Sequence, residues 1–467
     1  MKMRPFVLFF TLALFLFHHN PVGATTWHVY PGSSIQTAIT SAGTGDTILV
    51  HTGTYTEQLI INKSLIIQGE GSRPPVIQNS SGPVLIGISG PGIHVTLAGF
   101  EVKHTGTTNW SNSYAILIQN GAYANIHHIN LSDFKKRGIY IMGNNSSADI
   151  TDNTILAEGA PNLQNGIVIW GSDGGFANIL NNEVAGVSYG GTFWSATGIM
   201  ALDTYEKTVI IGENYVHDCQ LGMGIGDYCG YSPGSHTSDV LVRGNLITGN
   251  SWGVDILNDA RGVTLVYNTI SNNSEYGIGV TDYVDEDWSC DQPTNTLINY
   301  NTISGNGTGL YVNARVELVN ARYNCWGHWT GPGGGVTDPD SAITAQGSGD
   351  SITAESDNSL FYPWIPCGRS YTPEKMSAYG NEMCPFAYNT IHQAETMEQS
   401  VMGLMDEVLG DFDLIEVEQL IQKAHELLEK ARLFCFHTQN CIAGNMLALE
   451  AHALLQQARE ILESMIT

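Results

Sequence analysis

The sequence predicts a mainly β chain wound as a parallel β-helix (a solenoid), with an N-terminal capping helix and a small C-terminal α-helical hairpin or bundle. Three observations carry that expectation. An Asn-x-apolar element recurs at Asn153, Asn182, Asn214, Asn245, Asn268, Asn301 and Asn324. A Gly-apolar-x-apolar element alternates with it, starting at Gly138, Gly166, Gly198, Gly222, Gly253, Gly277 and Gly309. After about residue 337 both stop, and apolar residues return at helical spacing from Ala394.

The shortest repeat is 23 residues, from Asn245 to Asn268 or Asn301 to Asn324. That length suits one turn of three short strands joined by bends. Alternation within each strand turns Ile, Val and Leu inward. An Asn at the same bend of every turn can hydrogen-bond its counterpart in the next, forming a ladder. The open end of such a solenoid needs a cover over its apolar core. "SSIQTAITSA" (33–42) fits a short lid helix, with Ile35, Ala38 and Ile39 as its buried face and Ser33 or Ser34 as its cap.

With 467 residues the chain exceeds one compact core. Lys2 and Arg4, the apolar run Phe6–Phe17 and "PVGA" read as a secretory signal cut after Ala24. The expected divisions are residues 1–24 as signal peptide, 25–337 as β-helix, 338–392 as closing segment and linker, and 393–467 as helical hairpin or bundle. The apolar run is shorter than a membrane span. The mature chain is therefore expected outside the cytoplasm, whether secreted, extracellular, at the cell surface or periplasmic. The net charge of −26 becomes −28 when Lys2 and Arg4 are lost with the signal. Such a surface repels nucleic acid and other polyanions, leaving cations and neutral sugars as the easier partners.

The stretch "YPGSSIQTAITSAGTGDTILVHTGTYTEQLIINKSLIIQGEG" (30–71), the repeats, and "YNCWGHWTGP" (323–332) together resemble right-handed parallel β-helix proteins. These are the pectin-lyase-like superfamily and its carbohydrate-binding and sugar-hydrolase (CASH) and NosD-like relatives. The resemblance spans about residues 25–335 and implies the fold. It implies little chemistry, because that scaffold carries lyases, hydrolases, epimerases, esterases and surface proteins alike. Several enzyme signatures of those relatives are absent, including the paired Asp with Arg-Ile-Lys of polygalacturonases and the Asp-Pro-His-Asp of alginate epimerases. Gly53 to Glu57 is similar to a stretch of pectin methylesterases and reads as structural. Clustered basic side chains of the lyase kind are not expected.

"GVDILNDAR" (253–261) holds the densest polar group. Counted five positions from each repeat glycine, the residues are Gly143, Gly171, Asp203, Asp227, Asn258, Asp282 and Ala314. Coils lie about 4.8 Å apart, so four neighbouring coils align Asp, Asp, Asn and Asp in one file. Asp255 is expected on the same sheet, facing outward. Trp252 and Tyr276 precede successive glycines and should stack. The longest loops, "YCGYSPGSHT" (228–237) and "YVDEDWSCDQPT" (283–294), flank this coil as groove walls carrying Tyr228, Tyr231, Tyr283 and Trp288.

A file of carboxylates is costly if uncompensated. Arg261 is one remedy. A Ca2+ ion held by Asp203, Asp227, Asn258 and Asp282 is a second; no other cofactor is expected. A protonated carboxyl beside an ionised one is the third, and suits glycoside hydrolase or lyase-like acid–base work by Asp203, Asp227, Asp255 and Asp282. Two functions follow: carbohydrate binding, with or without cleavage, with the aromatics and Arg261 contacting the sugar, or a non-enzymatic surface, adhesion or structural protein whose acid column stabilises bends or binds Ca2+. Asp and Asn favour tight bends for local reasons alone, which supports the latter.

Eight cysteines in an exported chain suggest disulfides. Cys435–Cys441, Cys367–Cys384 and Cys229–Cys290 are the expected pairs, with Cys219 and Cys325 unassigned. His217, Cys219 and Met223 lie close together without the repeated spacing of a soft-metal site. The C-terminal helices are expected to self-associate, to dock to another protein, or to cover the solenoid's far end.

Overall fold

In the computed structural model the chain winds through three long parallel sheets. The structure describes residues 24–365 apart from 80, 105–112, 144, 160–163, 172–176, 191–195, 205–208, 228–235 and 283–290, together with Cys367 and parts of 394–462. Among the described residues, sheet A has 13 strands, sheet B 10 and sheet C 12. One coil supplies a strand to each in turn: Val240–Arg243 to A, Leu246–Thr248 to B and Trp252–Leu257 to C. Its sheet C strand pairs in parallel with Leu221–Gly226 on one side and Tyr276–Thr281 on the other. A one-residue slip would turn Val254 and Ile256, both fully buried, out to the surface, so burial fixes the register.

The asparagines form the expected ladder. Asn268 Nδ2 donates to Asn301 Oδ1 at 2.9 Å, and Asn268 Oδ1 accepts from Asn245 Nδ2 at 2.9 Å and Asn245 N at 3.0 Å. Equivalent bonds link Asn153, Asn182, Asn214, Asn301 and Asn324. A second ladder runs five residues later, through Asn250, Asn273 and Asn306. Asp350 terminates it by accepting from Asn306 Nδ2 at 2.8 Å. Cys219 stands one coil before Asn250, with its amide on Asn250 Oδ1 at 2.9 Å. The repeat glycines are needed for space: a Cβ on Gly253 would sit 2.4 Å from Gly277 O.

At the N-terminal end, Ile35–Ser41 is helical and buries Ile35, Ala38 and Ile39. Ser34 Oγ accepts from Thr37 N at 3.1 Å. Glu57 Oε1 and Oε2 accept from Ile35 N at 2.7 Å and Gln36 N at 3.0 Å, a carboxylate on the first amides of a helix. Tyr55 donates to His51 O at 2.8 Å. The Gly53–Glu57 stretch thus has a structural use.

The solenoid also runs past residue 337. Gly349–Ala354 joins sheet C and Ser359–Leu360 joins sheet A. No repeat motif marks this last coil, because Asp350 stands where Asn would and fully buried Trp326 and Phe361 fill its core. Cys367 is bridged to Cys325, 5.1 Å between Cα atoms, which corrects the expected Cys367–Cys384 pair. Chain returning along the last coil brings Cys367 beside Cys325, as Ile365 N on Asn324 O at 3.1 Å shows. Cys384, Cys435, Cys441, Cys229 and Cys290 lie outside the described residues.

The described residues of the C-terminal segment are helical, with Ile415–Arg432 the longest described element. Val417, Ala424, Leu428, Ala431, Leu455 and Ala458 pack in one cluster with Tyr267, Tyr300, Tyr323 and Ile365 of the solenoid. The helices therefore lie against the flank of the last coils. The three tyrosines stack there with centroids 5.6 and 5.4 Å apart. Each precedes a ladder asparagine at φ near +59°. Among the described residues, no helix is long and apolar enough to cross a membrane.

Candidate functional site

The outer face of sheet C carries the polar and aromatic side chains the register brings together. Along strand Trp252–Leu257, Val254 and Ile256 point inward and Asp255 outward. On the adjacent coils its register partners are Gly224 and Gly279. Two missing side chains leave room beside the Asp255 carboxylate. A Cβ on Gly279 would lie 3.0 Å from Asp255 Oδ1 and 3.4 Å from the Trp252 ring. Thr281 Oγ1 donates to Asp255 Oδ1 at 2.8 Å.

The file of acids is present. Leu202, Gly226, Leu257 and Thr281 are successive register partners, so Asp203, Asp227, Asn258 and Asp282 follow one another down the end of the sheet. Asn258 N donates to Thr281 O at 2.9 Å, which carries the ladder into the bend. The groups are less open than expected: Asp203, Asp227, Asp255, Asn258 and Asp282 are exposed by 1, 3, 4, 4 and 6 %. Leu202 and Leu257, also buried, crowd the same face. Gly226 adopts φ +156°, and a Cβ there would meet Leu257 O at 1.9 Å.

Each carboxylate has its own surroundings. Asp203 Oδ2 accepts from Trp170 Nε1 at 2.7 Å, while its Oδ1 has no hydrogen-bond partner among the described residues. Asn258 Nδ2 donates to Asp227 O at 2.9 Å. Neither oxygen of Asp282 makes a hydrogen bond among the described residues, although Arg315 Nε forms an ion pair 3.0 Å from Oδ2. Burial raises the Asp282 pKa above the ordinary aspartate value, and Arg315 partly opposes the shift. Three carboxylates and one amide make an oxygen-rich donor set of the kind a hard cation takes.

Trp252 and Tyr276 sit in register on neighbouring coils, 4.6 Å between ring centroids and tilted 69°, so they meet edge to face. Trp252 Nε1 donates to Glu275 Oε2 at 2.8 Å. Tyr311 extends the row, 5.2 Å from Tyr276. It occupies the Asp255 column two coils on, beyond Gly279. Arg261 does not neutralise the acid file: its Nη2 bonds Asp259 Oδ1 at 2.8 Å and Asp291 Oδ2 at 3.2 Å. The short strand Ala260–Arg261 turns away to pair with Thr237–Ser238, which explains the correction. Arg315 takes that place beside Asp282. Tyr228, Tyr231, Tyr283 and Trp288 lie outside the described residues.

Four coils toward the N-terminus, the same face bears Arg137 over the Tyr114 and Tyr140 rings at 5.0 and 4.9 Å. Burial, helped by Arg137, pushes the neighbouring Lys136 ammonium down to about 8. Sequence reasoning passed over the run Lys135-Lys136-Arg137, of which Arg137 reaches the tyrosine rings of this face while Lys135 pairs with Glu158 at 3.6 Å. Its signal was three consecutive cations in a chain with only 19. Tyr311 was legible too, as the outward position after Gly309-Leu. His217 is engaged elsewhere, with Asp218 Oδ2 at 2.7 Å and Glu183 Oε1 at 3.3 Å, and Met223 is core. Burial pushes the Cys219 thiol up to about 12.

Residues 165–325 match the family described as a right handed beta helix region. Together with the all-parallel stacked sheets, this identifies the fold as a right-handed parallel β-helix. No curated protein matches. Among solved structures, an alginate lyase from Paenibacillus sp. is similar at 14% identity and TM-score 0.43, covering 62% of this chain and 99% of its own. A GH136 lacto-N-biosidase from Eubacterium ramulus is similar at 12% identity and TM-score 0.44, covering 72% and 67%. A family 28 exopolygalacturonase of Yersinia enterocolitica gives 14%, 0.40, 62% and 67%.

Proposed function

We propose that this right-handed parallel β-helix protein is exported and binds carbohydrate on the outer face of sheet C. Its carboxylates supply the means to cleave the bound glycan. The observation that carries the reading is Asp255 between Gly224 and Gly279, bordered by the Trp252–Tyr276–Tyr311 aromatic row. Aromatic faces beside a hydrogen-bonding carboxylate suit a sugar ring, whose C–H face is apolar and whose rim is hydroxylated. The net charge favours a neutral glycan or one bridged by a cation.

For cleavage, Asp282 is the proton donor, because burial holds its proton to higher pH than an ordinary aspartate. Asp255, an acceptor from Thr281, is the base or nucleophile on the neighbouring coil. Asp282 stands three residues past Gly279, the register partner of Asp255, so the two Cα atoms are roughly 11 Å apart, wider than the roughly 5 Å of retaining glycosidases. Asp227, two coils from Asp282 in the same file, is the alternative partner at roughly 10 Å, close to the inverting range.

A second reading is favoured by the bends themselves. Asp203 and Asn258 adopt φ +52° and +49°, the left-handed region where Asp and Asn are enriched for local reasons. On that reading the file is turn chemistry or a Ca2+ site on a non-catalytic surface protein. A glycan array probed with the wild type and with Trp252→Ala and Tyr276→Ala separates the two. The carbohydrate reading requires binding that both variants weaken. Absence of binding across the array, with a melting temperature that falls on chelation, supports the calcium reading instead.

A further inference from the structure

We propose that the first coils carry a divalent transition-metal site of the zinc type, built by His28 and His51 with Glu70 behind them. His28 lies in strand Thr26–Val29, His51 ends strand Thr47–His51, and Glu70 ends strand Leu65–Glu70. The three strands are neighbours in sheet A, and His51 and Glu70 are direct register partners. This places the side chains on the outer face of sheet A, a different sheet from the one that carries the acid file.

The geometry is directional. His28 Nδ1 faces His51 Nε2 at 3.0 Å. His51 Nδ1 lies 3.0 Å from Glu70 Oε2. The carboxylate holds the Nδ1–H tautomer of His51 and so leaves its Nε2 lone pair pointing at His28. Tyr30 stacks on the His51 ring with centroids 4.1 Å apart and planes 2° from parallel, which fixes the ring. The His51 carbonyl is held by Tyr55 Oη at 2.8 Å and the Glu70 carbonyl by Thr52 N at 3.0 Å.

Two imidazole nitrogens bound to one tetrahedral Zn2+ at about 2.0–2.1 Å stand about 3.3 Å apart. The two rings therefore need to part by only a few tenths of an ångström once the proton between them is released. Glu70 on the far nitrogen of His51 is the carboxylate–histidine–metal arrangement that orients a ligand and raises its basicity. Water completes the coordination at this exposed edge. Nitrogen donors select a borderline cation over Ca2+ or Mg2+, so this site is chemically distinct from the oxygen file of sheet C.

The test is calorimetric titration of the chelator-stripped full chain with Zn2+ at pH 7.5. One saturable site in the micromolar range or tighter is expected, absent in His28→Gln and His51→Ala. Glu70→Gln should weaken it by roughly 10-fold or more, and His217→Ala should leave it intact. Repeating the titration at pH 6 should weaken binding, since protons compete for the same lone pairs. His28→Gln changes an exposed residue and leaves the Tyr30–His51 stack in place, so its loss of binding is separable from misfolding. No saturable site in the wild type, or an unchanged site in both histidine variants, overturns the proposal.

Discussion

Thr281 and Asp255 are joined across adjacent coils by a 2.8 Å hydrogen bond from hydroxyl to carboxylate, and both are buried. The bond aims the carboxylate along the sheet toward the gap at Gly279. Replacing Thr281 by Val keeps the shape and removes the donor. The expected loss is about 1–3 kcal/mol of stability, since a buried acceptor loses a partner. Gly279→Ala places a methyl against Asp255 Oδ1 and the Trp252 ring, and should disturb ligand binding more than folding. Thermal melts paired with glycan-binding isotherms distinguish the two effects.

The ladder makes a stronger demand. Asn268 Nδ2 bonds Asn301 Oδ1 and Val242 O, and its own Oδ1 receives two hydrogens from Asn245. Asn268→Ala removes the first two bonds and leaves the buried Asn245 N–H without its acceptor, while Asn245 Nδ2 keeps Ile211 O and Arg243 O. A loss of about 3 kcal/mol or more is expected, read as a drop in the urea midpoint at constant m-value. A change under about 1 kcal/mol would show that the ladder is incidental to stability.

That ladder also shows what sequence reasoning reaches. Repetition at a fixed element exposes the coil, its register and the buried asparagines, because every coil solves the same packing problem. The acid file was legible for that reason. Arg261 misled because its strand leaves the sheet, which no spacing rule reveals. The second ladder, at Asn250, Asn273 and Asn306, went unread although it repeats five residues after the first. The closing coil lacks both motifs, and Asp350, Trp326 and the Cys325–Cys367 bridge replace them through contacts distant in sequence.

Burial against the C-terminal helices raises the phenol pKa values of Tyr267 and Tyr300 well above the ordinary 10.0. Removing residues 393–467 should uncover the column. Spectrophotometric titration should then show at least one more tyrosine ionising near the ordinary value, and light scattering should show association of the shortened chain. Identical titration curves and monomeric masses would show that the helices do not cover these rings.

Docking of those helices should weaken in mild acid. Burial lowers the His452 pKa below 6.5 and raises that of Asp239, which faces it; His236 also acts on Asp239. As pH falls below 6.5, an undocked His452 takes a proton before the docked one does, so stability is lost in that direction. The Asp239 shift works oppositely, its cost fading as the carboxyl protonates. Hydrogen exchange of Ile415–Arg432, corrected for intrinsic rates, should show reduced protection at pH 5.5 relative to 7.5. His452→Gln should abolish the difference.

The most direct measurement is release of reducing ends from a panel of neutral glycans by the wild type, Asp282→Asn and Asp255→Asn. The account predicts cleavage of at least one glycan, a fall of roughly 100-fold or more in each variant, and retained folding. Asp282→Asn should also melt no lower at pH 7, because the ionised carboxyl is disfavoured where it is buried. Both variants cleaving as fast as the wild type, or a wild type that neither binds nor cleaves any glycan of the panel, would contradict it.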